Sequence, residues 1–197
     1  MASNIQLSKA LVKLLRHDPR GVSLTEEGYA DVEDILDLSF FSHYDEDDIE
    51  SLVDRDSKRR FAKRRYCGKL QVKATQGHSI ELSNPDLEMI THHTEARVVL
   101  HGTRRMHMDS IRLRGLSRMR RDHIHFTTAE SGAISGMPPR CDMVIEIDME
   151  KALGDRIKFY RSENGVILSP GDINGYIPTK YFKRAYDRQT HSPIDFR

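Results

Sequence analysis

Leu7, Leu11, Leu14 and Leu15 recur at the spacing that places apolar side chains on one face of a helix. The pattern predicts a helix capped by Ser8, stopped by the turn-forming run Asp18-Pro19-Arg20-Gly21, and carrying Arg16 and His17 in its last turn. Val32, Ile35, Leu36 and Leu38 predict a second helix capped by Asp31. Ile49, Leu52 and Val53 predict a third, opened by the acidic run from Asp45, whose charge suits the positive end of a helix dipole. The period then changes. Leu70, Val72 and Ala74 alternate with Lys69, Gln71, Lys73 and Thr75, and with Phe61 upstream they predict a β-hairpin. Helices followed by a hairpin suggest a winged helix.

Ser83-Asn84-Pro85 through His92-His93-Thr94 is polar and turn-rich, which predicts an N-terminal lobe over 1–83, a linker over 84–95 and a C-terminal lobe over 96–197. The second lobe is expected to hold a strand over Arg97–Leu100 and a helix with Met108, Ile111 and Leu113. A strand through Arg121–His125, a short helix near Ala129–Gly136 and a strand over Met143–Asp148 follow. Phe159-Tyr160, Val166-Ile167-Leu168 and Tyr176-Ile177 add short strands, so the class is α+β with a β-rich second lobe. From Arg188 onward the tail is polar enough to fray.

Composition adds bounds. A hydrophobic share of 38% in 197 residues suffices for two small cores. Net charge is +1, but its distribution is uneven: Asp45, Glu46, Asp47, Asp48 and Glu50 cluster, and so do Lys58, Arg59, Arg60, Lys63, Arg64 and Arg65. Arg104, Arg105, Arg112, Arg114, Arg118, Arg120 and Arg121 form a second basic region. Two such regions suit a nucleic-acid or dinucleotide ligand better than a membrane surface, although either alone is equally readable as solvated surface charge. Cys67 and Cys141 belong to no paired-cysteine motif, so a reducing interior is the default. No apolar run approaches the roughly 20 residues that span a bilayer, and Met1-Ala2-Ser3-Asn4 lacks a secretion pattern. A soluble, intracellular protein, cytoplasmic or nuclear, is expected.

In an extended strand, Arg121-Asp122-His123-Ile124-His125 would aim one guanidinium and two imidazoles at one face, a surface made for an anion. His101-Gly102-Thr103 and Gln76-Gly77-His78-Ser79 are two further histidine clusters with almost no carboxylates. General acid/base hydrolysis favours Asp or Glu beside its histidines, whereas handling phosphate favours Arg, Lys and His. His123 and His125 could chelate a metal, but a zinc site needs a third ligand, and Arg121 on the same face would repel a cation; no metal is expected. Each cluster also has a plain reading. Arg16 and His17 are ordinary cations at a helix C-terminus, Lys73 through His78 a hairpin exit, and Ser162-Glu163-Asn164-Gly165-Val166 a turn into a strand.

Their order along the chain is more specific. Leu7-Ser8-Lys9-Ala10 with Leu15-Arg16-His17, Asp56-Ser57-Lys58-Arg59-Arg60-Phe61, and Lys73-Ala74 with Gln76-Gly77-His78-Ser79 resemble the N-terminal half of the tRNA 2′-phosphotransferase family. His101-Gly102-Thr103, Ile111 with Gly115-Leu116, Arg121 with His123-Ile124-His125, Ser162 with Asn164-Gly165-Val166-Ile167-Leu168, and Ile177-Pro178 before Tyr181-Phe182 resemble the remainder. The resemblance implies a winged-helix-like N-terminal lobe and a C-terminal lobe similar to the ADP-ribosyltransferase NAD-binding fold. In that fold's three-position signature His101, a histidine of the 123–125 motif and Val166 would stand. An apolar third position disfavours an ordinary protein ADP-ribosyltransferase.

The implied activity is NAD-dependent removal of the internal 2′-phosphate left at a (t)RNA splice junction. The RNA phosphate displaces nicotinamide to give an ADP-ribosylated RNA phosphate; the ribose hydroxyl then attacks phosphorus and releases ADP-ribose 1″,2″-cyclic phosphate. A phosphomonoester, with a second pKa near roughly 6, needs no base for the first step, while the second concentrates charge on phosphoryl oxygens and calls for cations. By resemblance Arg16, His17, Lys73 and Arg121 are the catalytic set, with His17 as proton carrier. His101, Gly102, Thr103, His123, His125, Ser162, Asn164, Gly165 and Val166 bind NAD, consumed as co-substrate, and Gln76, His78 and Ser79 line the phosphate site. Lys73 departs from the family, many of whose members carry Arg there, and Gln71 departs from a frequent Lys or Arg. The partner implied is RNA with an internal 2′-phosphate, the protein acting as a monomer. Two other classes remain: an ADP-ribosyltransferase of nucleic-acid terminal phosphates that stops after the first step, which shares every motif, and a non-catalytic winged-helix nucleic-acid binder, which leaves the histidine motifs of the second lobe unexplained.

Overall fold

The computed structural model describes residues 2–83 and 85–196. Met1, Asn84 and Arg197, which belong to the expected lobes and linker, lie outside the described residues. Two compact units divide between Asp86 and Leu87.

The first unit runs α1 (Ala2–Arg16), β1 (Ala30–Asp31), α2 (Val32–Leu36), α3 (Glu46–Asp54), β2 (Phe61–Tyr66) and β3 (Lys69–Ala74). Its sheet is antiparallel with β3 in the middle, in the order β1-β3-β2. Leu7, Leu11 and Leu15 meet Ile35, Ile49 and Val72 in its core, so the predicted faces of the three helices are the buried ones. Caps differ from expectation. Ser8 sits inside α1 rather than at its start, and its buried side chain makes no cap. Asp31 precedes α2 but caps nothing; its carboxylate instead accepts a 2.7 Å hydrogen bond from Gln71 Nε2. Asp45 does cap α3, exchanging hydrogen bonds with Asp48 in a capping box.

The predicted alternation along β3 holds, yet its polar side is not a solvent face. Gln71 and Lys73 are buried, because β3 is the central strand and the side chains of neighbouring segments close over it. The first basic run is also resolved. Lys63 pairs with Glu50 at 2.8 Å and Asp54 at 2.7 Å, Arg65 with Glu46 at 2.8 Å and Arg60 with Asp56 at 2.8 Å. The acidic run of α3 and the basic run of β2 thus face each other, and Lys63 and Arg65 are ion-paired within the unit.

The second unit contains β4 (Leu87–Ile90), β5 (Leu100–Thr103), α4 (Met108–Arg114), β6 (Leu116–Ser117), β7 (Ile124–Phe126), β8 (Met143–Ile147), α5 (Met149–Gly154), β9 (Lys158–Ser162), β10 (Ile167–Gly171), β11 (Tyr176–Ile177) and β12 (Phe182–Asp187). One sheet runs β4-β9-β10-β7 and another β12-β8-β5; β6 and β11 form a small pair. The two larger sheets meet where Leu100 and Thr127 exchange backbone hydrogen bonds of 2.8 and 2.9 Å. Phe126, Ile145, Phe159 and Ile167 fill the core. Among the described residues no helix is long and apolar enough to cross a membrane.

Several expectations change here. The segment read as a linker over 84–95 holds β4, which pairs with β9 from Leu87↔Ser162 to Ile90↔Phe159, and a 3₁₀ turn over His93–Ala96. A strand this short and half exposed leaves little apolar signature. The strand expected at Arg97–Leu100 begins only at Leu100, where pairing with Glu146 starts. Ala129–Gly136 is irregular rather than helical. The tail expected to fray from Arg188 on is held over its described residues: Ile194 N–H bonds to the Ala185 carbonyl at 2.8 Å, and Phe196 packs edge-on against Phe182.

Candidate functional site

The first unit gathers one group of the expected residues at the C-terminal end of α1. The Ser79 N–H donates to the Arg16 carbonyl at 2.8 Å, and His17 Nδ1 lies 2.8 Å from Ser79 Oγ. The run Gln76-Gly77-His78-Ser79 is thereby tied to Arg16 and His17. Gly77 holds φ 84°, as the Gln-Gly pair suggested. Gln76 is buried, while His17 and Ser79 are exposed.

Lys73 is reached from β3. Its side chain is 4% exposed, its ammonium is ion-paired with Asp86, and it stands 4.7 Å from the centroid of the Tyr29 ring. A carboxylate and the face of an aromatic ring both favour a cation. Gln71, on the same side of β3, bridges two charges, accepting from Arg64 Nε at 2.7 Å and donating to Asp31. The residue that departs from the family's frequent Lys or Arg is therefore built into a hydrogen-bonded network in which a further cation would stand beside Arg64. Tyr29 and Asp86 carry no motif, and their partnership with Lys73 exists only once β3 is packed.

The second unit gathers the histidines around β5 and β7. His101 Nδ1 is 2.9 Å from the His125 carbonyl, and its ring meets Phe126 edge-on at 5.7 Å. A carbonyl can only accept, so Nδ1 carries the proton and Nε2 is left as an acceptor. Burial lowers the His101 pKa and keeps the ring neutral. His123 is pushed down to about 4, chiefly by burial and secondarily by the Arg118 charge, and it lies edge-on to Tyr160 at 5.9 Å. His125 is buried on β7 opposite Leu168.

The strand expected over Arg121–His125 begins only at Ile124, so Arg121 and His123 both lie outside it. The β7–β10 ladder ends at Ile124↔Ser169, because the next residue of β10 is Pro170, which has no N–H to extend it. Arg121 instead closes a turn, its N–H bonded to the Arg118 carbonyl at 3.1 Å, and its side chain is exposed. Ser162 through Val166 forms the β9–β10 hairpin. Ser162 Oγ donates to Asn164 Oδ1 at 2.7 Å and accepts from the Val166 N–H at 3.1 Å. Val166 is buried and supplies no polar group. The plain reading of this stretch as a turn into a strand is therefore satisfied, with the polar side chains shaping the turn.

Gly102 and Thr103 lie on β5, whose Gly102 N–H donates to the Gly136 carbonyl at 2.7 Å. Gly136, unmarked in the sequence, has φ 79°, and a Cβ there would lie 2.5 Å from the Phe126 carbonyl carbon. It lets the irregular 129–136 segment press directly onto the backbone of β7.

Residues 2–171 match the model of the RNA 2′-phosphotransferase, Tpt1 / KptA family. The chain is 39% identical over 191 residues to tRNA 2′-phosphotransferase 1 of Danio rerio, covering 92% of this chain and 85% of that protein. It is 38% identical over 202 residues to tRNA 2′-phosphotransferase 1 of Homo sapiens, covering 97% and 79%. A probable RNA 2′-phosphotransferase of Acaryochloris marina is 34% identical over 181 residues, covering 89% and 94%. A family match that extends from α1 through β10, supported by relatives of similar length, means that this chain belongs to the RNA 2′-phosphotransferase, Tpt1 / KptA family.

Proposed function

We propose that the protein removes the internal 2′-phosphate of an RNA, a tRNA splice junction being the implied source, by transferring it to the ADP-ribose part of NAD. The observation that carries this reading is the family match, whose span takes in every site residue from Arg16 to Val166.

NAD, when bound, supplies an electrophilic ribose carbon and nicotinamide as a leaving group. The donor chemistry of the second unit fits such a molecule. His101 has its Nδ1 proton committed to the His125 carbonyl, so Nε2 can accept from a ribose hydroxyl, and burial keeps the ring from competing with a cationic nicotinamide. Gly102 and Thr103 lie on β5 with His101, His125 lies on β7, and His123 immediately precedes β7. Ser162, Asn164, Gly165 and Val166 act through the shape of the β9–β10 turn. Orientation is the main contribution expected of them.

Arg16, His17, Lys73 and Arg121 are the proposed phosphate-directed set. Arginine forks and a lysine point charge stabilise charge that builds on phosphoryl oxygens. His17, held through Nδ1 at Ser79 Oγ, is the proposed carrier of a proton to the departing RNA 2′-oxygen. Gln76, His78 and Ser79 position that group. The winged-helix-like unit would thus supply most of the phosphate-directed groups, and the ADP-ribosyltransferase-like unit the dinucleotide-binding groups together with Arg121.

The test is incubation with an RNA oligonucleotide carrying one internal 2′-phosphate, with and without NAD, resolving RNA and nucleotide products together. NAD-dependent dephosphorylation with release of ADP-ribose cyclic phosphate is expected. Accumulating ADP-ribosylated RNA would replace the reading with a transferase that stops early, and no reaction would favour a non-catalytic nucleic-acid binder.

A further inference from the structure

The loop between α2 and α3 and the outer face of α1 enclose a cavity of about 330 Å³ that the phosphate chemistry does not use. It is lined by Ala10, Lys13, Leu14, Arg20, Phe40 and Phe41, among others. Leu14 and Phe41 are buried and make an apolar floor. Phe40, which meets Phe41 edge-on at 5.2 Å, is nevertheless 42% exposed. Lys13 and Arg20 are exposed at the rim; Arg20 is paired with Asp18 at 3.2 Å, and Lys13 makes no ion pair among the described residues.

The cavity is close to the phosphate-directed residues. The His17 N–H donates to the Lys13 carbonyl at 3.0 Å, so His17, the first residue past α1, stands one turn along the chain from Lys13. An apolar floor, a partly exposed aromatic ring and cations at the mouth match one chemistry well: an unstacked nucleobase attached to a backbone phosphate. The size suits a single base rather than a folded partner, being at the lower end of the roughly 300–1,000 Å³ of small-ligand sites.

We propose that this cavity receives the base of a nucleotide next to the 2′-phosphate-bearing one, with Phe40 stacking on the base and Lys13 meeting the backbone phosphate. This inference rests on the reading of RNA as substrate. It implies that the substrate is engaged unpaired at that position, since a base held in a duplex cannot enter.

The test couples protein and RNA changes. Steady-state kinetics and NAD-free anisotropy binding are measured for wild type, Phe40→Ala, Phe40→Tyr and Lys13→Ala, using oligonucleotides that carry an abasic residue at each flanking position in turn. Phe40→Ala should raise KM for RNA roughly tenfold, with KM for NAD unmoved and Phe40→Tyr restoring most of the loss. One abasic position should weaken wild type similarly and add nothing to Phe40→Ala. Equal abasic penalties in the two proteins, or an unchanged RNA KM in Phe40→Ala, would overturn the proposal. Anisotropy separates it from the catalytic reading: coupling without turnover keeps the base site and removes the phosphotransferase, whereas turnover without coupling does the reverse.

Discussion

Lys73 is buried and His101 half-buried, and both carry a titratable nitrogen, but their surroundings are opposite. Lys73 faces the Asp86 carboxylate and the Tyr29 ring. His101 faces a backbone carbonyl and the edge of Phe126, and burial holds it neutral. His123 repeats the second pattern, with Arg118 adding to the effect of burial. A cation already paired with a carboxylate can exchange that partner for a phosphate oxygen; a neutral imidazole can accept from a sugar hydroxyl. The contrast suggests a division of labour, charge for the phosphate and neutrality for the dinucleotide. Each half can be attacked separately.

The largest effect is expected at Arg121. Its side chain is exposed and its backbone turn is held by main-chain atoms, so Arg121→Ala should leave the melting temperature near wild type while turnover falls at least about a hundredfold, the loss typical of removing one charge-stabilising donor. A wild-type rate would remove Arg121 from the catalytic set. Gly136→Ala should act through structure. Its Cβ would strike the Phe126 backbone at 2.5 Å in a left-handed conformation, and a destabilisation of about 3 kcal/mol, together with weakened NAD binding, is expected from denaturant melts and titration.

His123 gives a pH signature. Its folded pKa of about 4 lies below the ordinary value of 6.5, so the unfolded chain binds the proton first. Stability from this group is intact above the unfolded value and is lost as pH falls toward 4, by about 2–3 kcal/mol. His123→Asn should flatten unfolding free energy between those pH values by that amount, and an unaltered slope would show that His123 is not held neutral. Asp86→Asn should have the smallest effect. Asp86 is half exposed, so a loss of about 1 kcal/mol is expected in urea melts, with weaker discrimination against unphosphorylated RNA if the carboxylate fixes Lys73.

Much of this was readable in the chain, for local reasons. The α1 stripe, the acidic opening of α3 and the β2–β3 hairpin are encoded by neighbours a few residues apart, and the structure reproduces them. What was hidden depends on distant partners. The burial of Gln71 and Lys73 comes from Asp31, Arg64, Tyr29 and Asp86, none of which a periodicity marks. β4 is a strand because β9 pairs with it, not because its own residues demand it. The geometry argued for Arg121 assumed a strand that Pro170 cuts short. The motif order carried the family even where the conformation attached to it was wrong.

The division of labour is tested most directly by binding rather than turnover. NAD, and separately an RNA oligonucleotide with and without an internal 2′-phosphate, are titrated into wild type, Lys73→Met and His101→Ala by calorimetry. Lys73→Met should reduce the preference for the phosphorylated oligonucleotide by roughly tenfold while NAD affinity holds, and His101→Ala should weaken NAD while the phosphate preference holds. Loss of NAD binding in Lys73→Met, with the phosphate preference intact, would contradict the account.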